Sequence, residues 1–149
     1  MKPKQDLHPQ MQTQDQGKEV SDALTYEVIG SAQKVHRTLG PGFTESTYQA
    51  ALEKELTIRR IPFEAQREFK VFYEGELCGA YRPDLVLDNR IVLELKAVSV
   101  LAKEHRCQTL SYLRASTLSI ALLINFGSPS LEVRRLLNNK LNPKNPEIH

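Results

Sequence analysis

Cysteine is scarce. Cys78 and Cys107 are the only two in 149 residues, and neither has a CxxC partner. That excludes a zinc cluster and leaves little material for a disulfide framework. Reduced thiols in a cytosolic protein are expected. Neither cysteine sits in a recognisable Cys/His nucleophile setting, so both are expected to pack as small apolar side chains. Long hydrophobic runs are missing too. No stretch approaches the roughly 20 apolar residues of a membrane span, and Met1 to Lys18 holds no apolar block of the signal-peptide kind. A cytoplasmic protein without membrane partners is expected. Charge of one sign is not in excess either: 20 Lys plus Arg against 18 Asp plus Glu gives +2. So small a balance neither argues for a polyanion nor excludes one, because the distribution of charge decides. The P-loop glycine pattern, GxSxG and HExxH are all absent.

What is present suits one domain. Apolar residues make up 40% and charged residues 26%, which is ordinary globular usage. The ends differ from the middle. Residues 1–20 hold five glutamines and almost no large apolar side chain, so they are expected to form a flexible tail. Residues 139–149, with Pro143 and Pro146, are expected to form another. The foldable part is 21–138, and it nets +1.

Leu24, Val28, Ala32, Val35 and Leu39 recur at steps of four and three, which predicts a helix capped by Ser21 or Asp22 and stopped at Gly40-Pro41-Gly42. Tyr48, Leu52 and Leu56 predict a second helix, ended before Pro62. From Phe63 to Tyr73 the period is two, as in a half-buried strand. Further strands are predicted over about 77–87 and 90–98, with turns at Glu74-Gly75 and Asp88-Asn89, and the short turns imply an antiparallel meander. Leu101 to Arg114 reads as a helix, and Leu118 to Phe126 as a strand buried on both faces. Residues 131–137 are ambiguous between strand and helix. The order α-α-β-β-β-α-β predicts an α/β (α+β) domain with a mixed sheet flanked by helices.

The sharpest chemistry is Arg82-Pro83-Asp84 followed by Glu94-Leu95-Lys96. Glu94 and Lys96 are two apart on one strand and point to the same face. Charges set among Val92, Leu93 and Leu95 are costly unless paired or bound to a ligand. A hairpin at Asp88-Asn89 lets Asp84 approach Glu94 across the ladder. Two carboxylates at one point raise a proton affinity or recruit a divalent cation, and oxygen ligands suit magnesium or manganese. An adjacent lysine can hold a water or stabilise developing negative charge. The alternative is a buried Glu94–Lys96 or Asp84–Lys96 ion pair with no ligand.

These residues resemble the PD-(D/E)xK nuclease signature. Gly42-Phe43-Thr44-Glu45-Ser46-Thr47-Tyr48 also fits GxxExxY, the pattern of the GxxExxY proteins, a branch of that superfamily. Val35-His36-Arg37, Leu39-Gly40-Pro41-Gly42 and Leu122 to Gly127 fit as well, so the resemblance covers about 22–137. It implies a restriction-endonuclease-like core and Mg²⁺-dependent phosphodiester hydrolysis, with Mn²⁺ as a substitute. Asp84 and Glu94 would be metal ligands, Lys96 would position water or stabilise the transition state, and Glu45 would be a further acidic group near the metal. Gln108 and Tyr112 occupy the place of a Gln and Tyr that the superfamily often carries on the helix after the lysine strand. The implied partner is nucleic acid, with DNA and RNA both open. A homodimer is plausible by analogy. The rival reading is a non-catalytic nucleic-acid-binding or partner-interaction protein that keeps the fold.

Several of these residues have blander readings. His105, Gln108 and Tyr112 share one helical face and can contact phosphate, or form an ordinary solvent-facing stripe. Glu45 can be a helix-start acid favoured by the macrodipole. Tyr48 is expected to pack in the core with its hydroxyl near the site. His36 is expected to be structural. Arg82 can clamp a phosphate or pair with Glu76 or another acid. Arg59-Arg60 and Arg134-Arg135 read as solvated surface. Together with Lys103, Arg106 and Arg114 they can form a phosphate-tracking face only if the fold gathers them.

Overall fold

The computed structural model describes residues 9–139, with side chains from 23 onward. The elements are α1 (Pro9–Leu39), α2 (Glu45–Ile58), β1 (Phe63–Ala65), β2 (Phe69–Tyr73), β3 (Glu76–Tyr81), β4 (Leu85–Leu87), β5 (Ile91–Lys96), α3 (Lys103–Ser116), β6 (Ile120–Asn125) and β7 (Glu132–Leu137). Helix α1 starts at Pro9, upstream of the caps expected at Ser21 or Asp22. Gln, Lys and Glu are good helix formers, and proline suits a first helical position, but the segment has no apolar period to announce it. The expected tails at 1–20 and 139–149 otherwise lie outside the described residues.

The apolar stripe of α1 does what its spacing predicts. Val28, Ala32 and Val35 are buried, and Leu24 and Leu39 pack beside them. Gly40 and Gly42 then take φ of +70° and +117°, which only glycine adopts without strain, and the chain reverses into α2. Tyr48, Leu52 and Leu56 bury completely from α2, each worth about 1.5–3 kcal/mol of apolar burial. The helix ends at Ile58, Arg60 takes a left-handed φ of 58°, and the Ile61 N–H returns to the Leu56 carbonyl at 2.9 Å, all ahead of Pro62.

The main sheet has five strands in the order β1-β4-β5-β6-β7. Strands β5 and β6 are parallel and joined through α3, and the other neighbours are antiparallel. This is the expected mixed sheet flanked by helices. Residues 132–137 resolve as the edge strand β7, paired to β6.

The expected meander is replaced by two sheets. Its first strand breaks at Gln66, which takes a left-handed φ of 56°. Its second breaks at Arg82-Pro83, where proline has no N–H to donate. Strands β2 and β3 form their own two-stranded sheet, closed by Glu74 and Gly75, both at positive φ. Strand β1 pairs with β4 instead. Alternation of side chains continued through both breaks, so the period alone did not reveal them. Cys78 lies on this hairpin and Cys107 on α3, and both are exposed rather than packed.

The two faces of the main sheet carry unequal loads. Leu85, Leu87, Ile91, Leu93, Leu95, Ile120, Leu122 and Ile124 meet α1 and α2 in the larger core. Val92, Ala121 and Leu136 meet Leu113 of α3 in a smaller one. Side chains alternate along a strand, so Glu94 and Lys96 belong with Val92 on the α3 face.

Candidate active site

The β4–β5 hairpin builds the centre of the site. Asp88 and Asn89 take φ of 48° and 53°, and the Arg90 N–H bonds the Leu87 carbonyl at 2.9 Å. Asx residues tolerate that conformation. The turn sets Leu85 opposite Leu93, so Asp84 meets Glu94 one step further along, just ahead of β4. Each residue then clasps the other's strand. The Asp84 N–H donates to Glu94 Oε1 at 2.8 Å, and the Leu95 N–H donates to Asp84 Oδ2 at 2.8 Å. Both carboxylates are fixed by backbone donors, and neither is bonded to Lys96 among the described residues. The alternative of a plain buried ion pair with Lys96 therefore does not describe this geometry.

Electrostatics at the pair are unbalanced. Glu94 is 4% exposed. Burial above all, then the Asp84 carboxylate, pushes its carboxyl up to about 8, against the pull of the Asp84 N–H and Lys96. Asp84 is raised as well, chiefly by burial and also by Glu45, while the Leu95 N–H, Lys96 and Gln66 hold it back. Glu45 opens α2, and its charge acts on both carboxylates. Acidic charge on Asp84, Glu94 and Glu45 is thus opposed at the pair by the Lys96 ammonium.

Lys96 ends β5 and reaches across to α3. Its Nζ donates to Gln108 Oε1 at 3.1 Å, and Gln108 Nε2 donates to the Tyr112 hydroxyl at 3.1 Å. Tyr112 is raised by burial first and then by Glu94, which puts its hydroxyl in the field of the acidic pair. The polar stripe of α3 therefore splits. Gln108 and Tyr112 join Lys96, whereas His105 Nδ1 accepts the Ala102 N–H at 3.0 Å and closes the helix start. Arg82 is held by Glu68, the other-acid alternative.

Three neighbours carried no site expectation. Gln49 Nε2 donates to the Asp84 carbonyl at 3.4 Å, the Gln66 N–H donates to the same carbonyl at 3.3 Å, and the Tyr81 ring lies 5.7 Å from that of Tyr112. Gln49 is four residues after Glu45, on the same helical face, and that spacing was the available signal. Gln66 and Tyr81 come from breaks in the strands, where no periodic signal points.

Tyr48 and His36 serve the scaffold. The Tyr48 ring is stacked on Phe126 at 4.8 Å, and its hydroxyl donates to the Gly40 carbonyl and accepts the Phe43 N–H at 3.2 Å. That hydroxyl ties the loop ahead of Glu45 rather than reaching the acidic pair. His36 Nε2 meets the Ser128 carbonyl at 2.9 Å. Asn125, fully buried beside Lys96 in the ladder, accepts the Val98 and Gly127 N–H groups and donates to Val98 O and Glu132. A Cβ on Gly127 would stand 2.4 Å from the Val98 carbonyl oxygen, so only glycine lets the chain pass there.

The site is thus an acidic pair clasped across a hairpin of a mixed sheet between helices, with a lysine two residues on. The family model of the PD-(D/E)XK nuclease superfamily matches residues 22–136, and the chain belongs to that superfamily. Comparisons with curated proteins and with solved structures returned no match. The family typically uses divalent metals, and the residues present fit one. Asp84 and Glu94 offer hard oxygen donors in a desolvated pair that makes no ion pair among the described residues. Among the described residues no three His, Cys, Asp or Glu side chains form a closed cage. Magnesium does not need one, since it is usually held by one or two carboxylates with water and substrate phosphate.

Proposed function

We propose that this protein is a Mg²⁺-dependent nuclease of the GxxExxY branch that hydrolyses phosphodiester bonds of nucleic acid. The observation that carries the reading is the reciprocal clasp of Asp84 and Glu94, with Lys96 two residues along the same strand face. The pair is short of positive charge and has backbone donors to fix it in place, which suits a cation from solution better than an internal salt bridge. Asp84 and Glu94 would hold the ion, with Glu45 as a further acidic group at the start of α2. The ion would supply the Lewis acidity that neutralises charge on the phosphate and activates water.

The chain's own side chains would do the rest. Lys96 donates from Nζ to the attacking water or to a non-bridging oxygen of the scissile phosphate. Gln108 limits where that ammonium can go, and Tyr112 in turn limits Gln108, so Lys96 is oriented before substrate arrives. In the reaction the water oxygen bonds phosphorus, the bond to one sugar oxygen breaks, and the water proton leaves with solvent or the departing oxygen. Arg82 and His105, engaged by Glu68 and by the start of α3, have no role in this reading. A cytoplasmic location fits the reduced thiols. The pattern that supports the GxxExxY assignment is Gly42 to Tyr48, read with the tie of Tyr48 to the loop ahead of Glu45.

The test is cleavage with Mn²⁺ of labelled single- and double-stranded DNA and RNA, comparing wild type with Lys96→Ala. Cleavage by wild type that is lost in the variant is expected, and it identifies the substrate class. Equal cleavage by both would mean a contaminant. No cleavage by either would move the reading to a binding protein that keeps the fold.

A further inference from the structure

Helix α3 has a second functional-looking face. Lys103, Arg106, Leu110 and Arg114 follow at steps of three and four, which places them along one side of the helix. Gln108 and Tyr112 lie on another side, and Thr109 and Leu113 are buried against the sheet between the two. The basic side borders a cleft of about 360 Å³ between α3 and β7, lined by Arg106, Leu110, Arg114, Arg135 and Asn138 among others. Among the described residues, no acidic side chain lines it. Arg106 and Arg114 have no ion pair among the described residues, unlike Arg59, Arg67, Arg82, Arg90 and Arg134, each of which is paired with a carboxylate.

The cleft is also fixed in shape. Asn138 Nδ2 donates to the Leu113 carbonyl at 3.3 Å and the Leu118 carbonyl at 3.1 Å, and its N–H bonds the Ser119 carbonyl at 2.9 Å. These bonds lock the end of β7 to the end of α3. Leu136 of β7 packs toward Leu113 of α3, and Arg135, opposite Leu122 in the ladder, borders the cleft at the edge of the sheet while Arg106 and Arg114 supply its basic wall.

We propose that this cleft is a second contact site for the nucleic-acid strand, binding its phosphodiester backbone away from the acidic pair. Arginine forks suit phosphate oxygens, and Arg106 and Arg114, without a carboxylate partner among the described residues, can take them. From Arg106 to Arg114 the helix rises about 12 Å, enough to follow several nucleotides at about 3.4 Å each along a strand axis. A strand there touches the same helix that carries Gln108 and Tyr112, so α3 would couple grip to hydrolysis. The inference rests on the nuclease reading for its choice of polyanion, and it makes the cleft a source of affinity without base specificity.

The test is fluorescence anisotropy of a labelled oligonucleotide, single-stranded and duplex, titrated in EDTA at several salt concentrations. Arg106→Gln/Arg114→Gln is expected to weaken duplex binding by about tenfold or more near 0.1 M salt and to reduce the slope of log K against log salt by about 1.8. Arg106→Lys/Arg114→Lys is expected to keep the wild-type slope, and Arg37→Gln, on α1, to leave it unchanged. A wild-type slope in the glutamine pair, an equal loss in Arg37→Gln, or no binding by wild type would overturn the proposal. Binding is read without metal, so a failure of hydrolysis in the Mn²⁺ assay does not alter the anisotropy result, and the two readings fail separately.

Discussion

Glu55 and Glu94 are both closed off from water, at 7% and 4% exposure, and the protein treats their charges in opposite ways. Glu55 sits between α1 and α2, where its Oε1 meets Arg59 Nε at 3.1 Å and Lys34 Nζ at 3.2 Å. The Arg59 bond above all holds its carboxyl below the usual range despite burial. Glu94 has another carboxylate for a neighbour and a backbone N–H for its donor, and its carboxyl rises to about 8. Burial leads the rise of Glu94, which only a backbone N–H and the Lys96 charge oppose, whereas at Glu55 the Arg59 bond outweighs burial and Lys34 adds to it. A glutamate whose charge is met inside the fold belongs to the scaffold. One held in place with its charge unmet is arranged for something that arrives from outside.

The largest expected effect separates these roles by activity. Glu94→Gln and Lys96→Ala should each lower Mn²⁺-dependent cleavage by about 10³-fold, equal to about 4 kcal/mol of transition-state stabilisation. Glu55→Gln should leave the cleavage rate within about twofold, because it touches none of the site. Rates measured on refolded, monodisperse protein would decide. A Glu94→Gln enzyme that still cuts would end the distinction.

Stability should invert that ranking. Glu55→Gln leaves Arg59 and Lys34 without their shared carboxylate and should cost about 1–3 kcal/mol in urea unfolding. Glu94→Gln removes a buried acid whose charge is unmet, and in EDTA at neutral pH it should be no less stable than wild type. Equal losses in both variants would show that the Asp84–Glu94 clasp is also structural.

How much of this was legible follows from the same residues. Glu94 and Lys96 announced themselves because charges at alternate positions interrupt an apolar strand, and Asp88-Asn89 announced the turn that brings Asp84 to them. Glu55 did not announce its role. Its partners are one helix away at Lys34 and one turn on at Arg59, and a sequence shows the spacing of the second but not the packing that adds the first. The breaks at Gln66 and Pro83 were hidden because alternation runs through them, so the hairpin β2–β3 was read as part of the main sheet. The cleft of Arg106, Arg114 and Arg135 depended on β7, whose type the period left open. The fold class was readable because it rests on element order, and the contacts between elements were not.

Acid and alkali should sharpen the comparison further. A carboxyl raised in the folded state, such as Glu94, stabilises the fold below its unfolded value of about 4.5, and that contribution is lost as pH rises toward about 8. A lowered one, such as Glu55, stabilises above its unfolded value and loses that contribution as pH falls through its folded value. In EDTA, the Tm of Glu94→Gln relative to wild type should therefore climb between about pH 4.5 and 8, and that of Glu55→Gln should fall as pH rises from the acid side. Mg²⁺ or Mn²⁺ should raise the wild-type Tm most at the alkaline end, where the pair is ionised, and should do little for Glu94→Gln. A wild-type Tm indifferent to millimolar divalent cation at pH 8 would remove the cation from the reading.

The smallest effect concerns how Lys96 is aimed. Gln108 is exposed on α3 and holds Lys96 Nζ at 3.1 Å while donating to Tyr112. Gln108→Ala should therefore leave folding intact and lower the cleavage rate by about tenfold, or about 1.4 kcal/mol. The loss is modest because the ammonium stays and only its orientation is released. Tyr112→Phe should act in the same direction and more weakly, since Gln108 keeps its bond to Lys96. In the double variant the Tyr112→Phe loss should largely disappear, because both changes act through one ammonium and their effects are not independent. Additive losses would mean that Tyr112 contacts substrate directly, and the chain from Lys96 through Gln108 would then be two separate contacts.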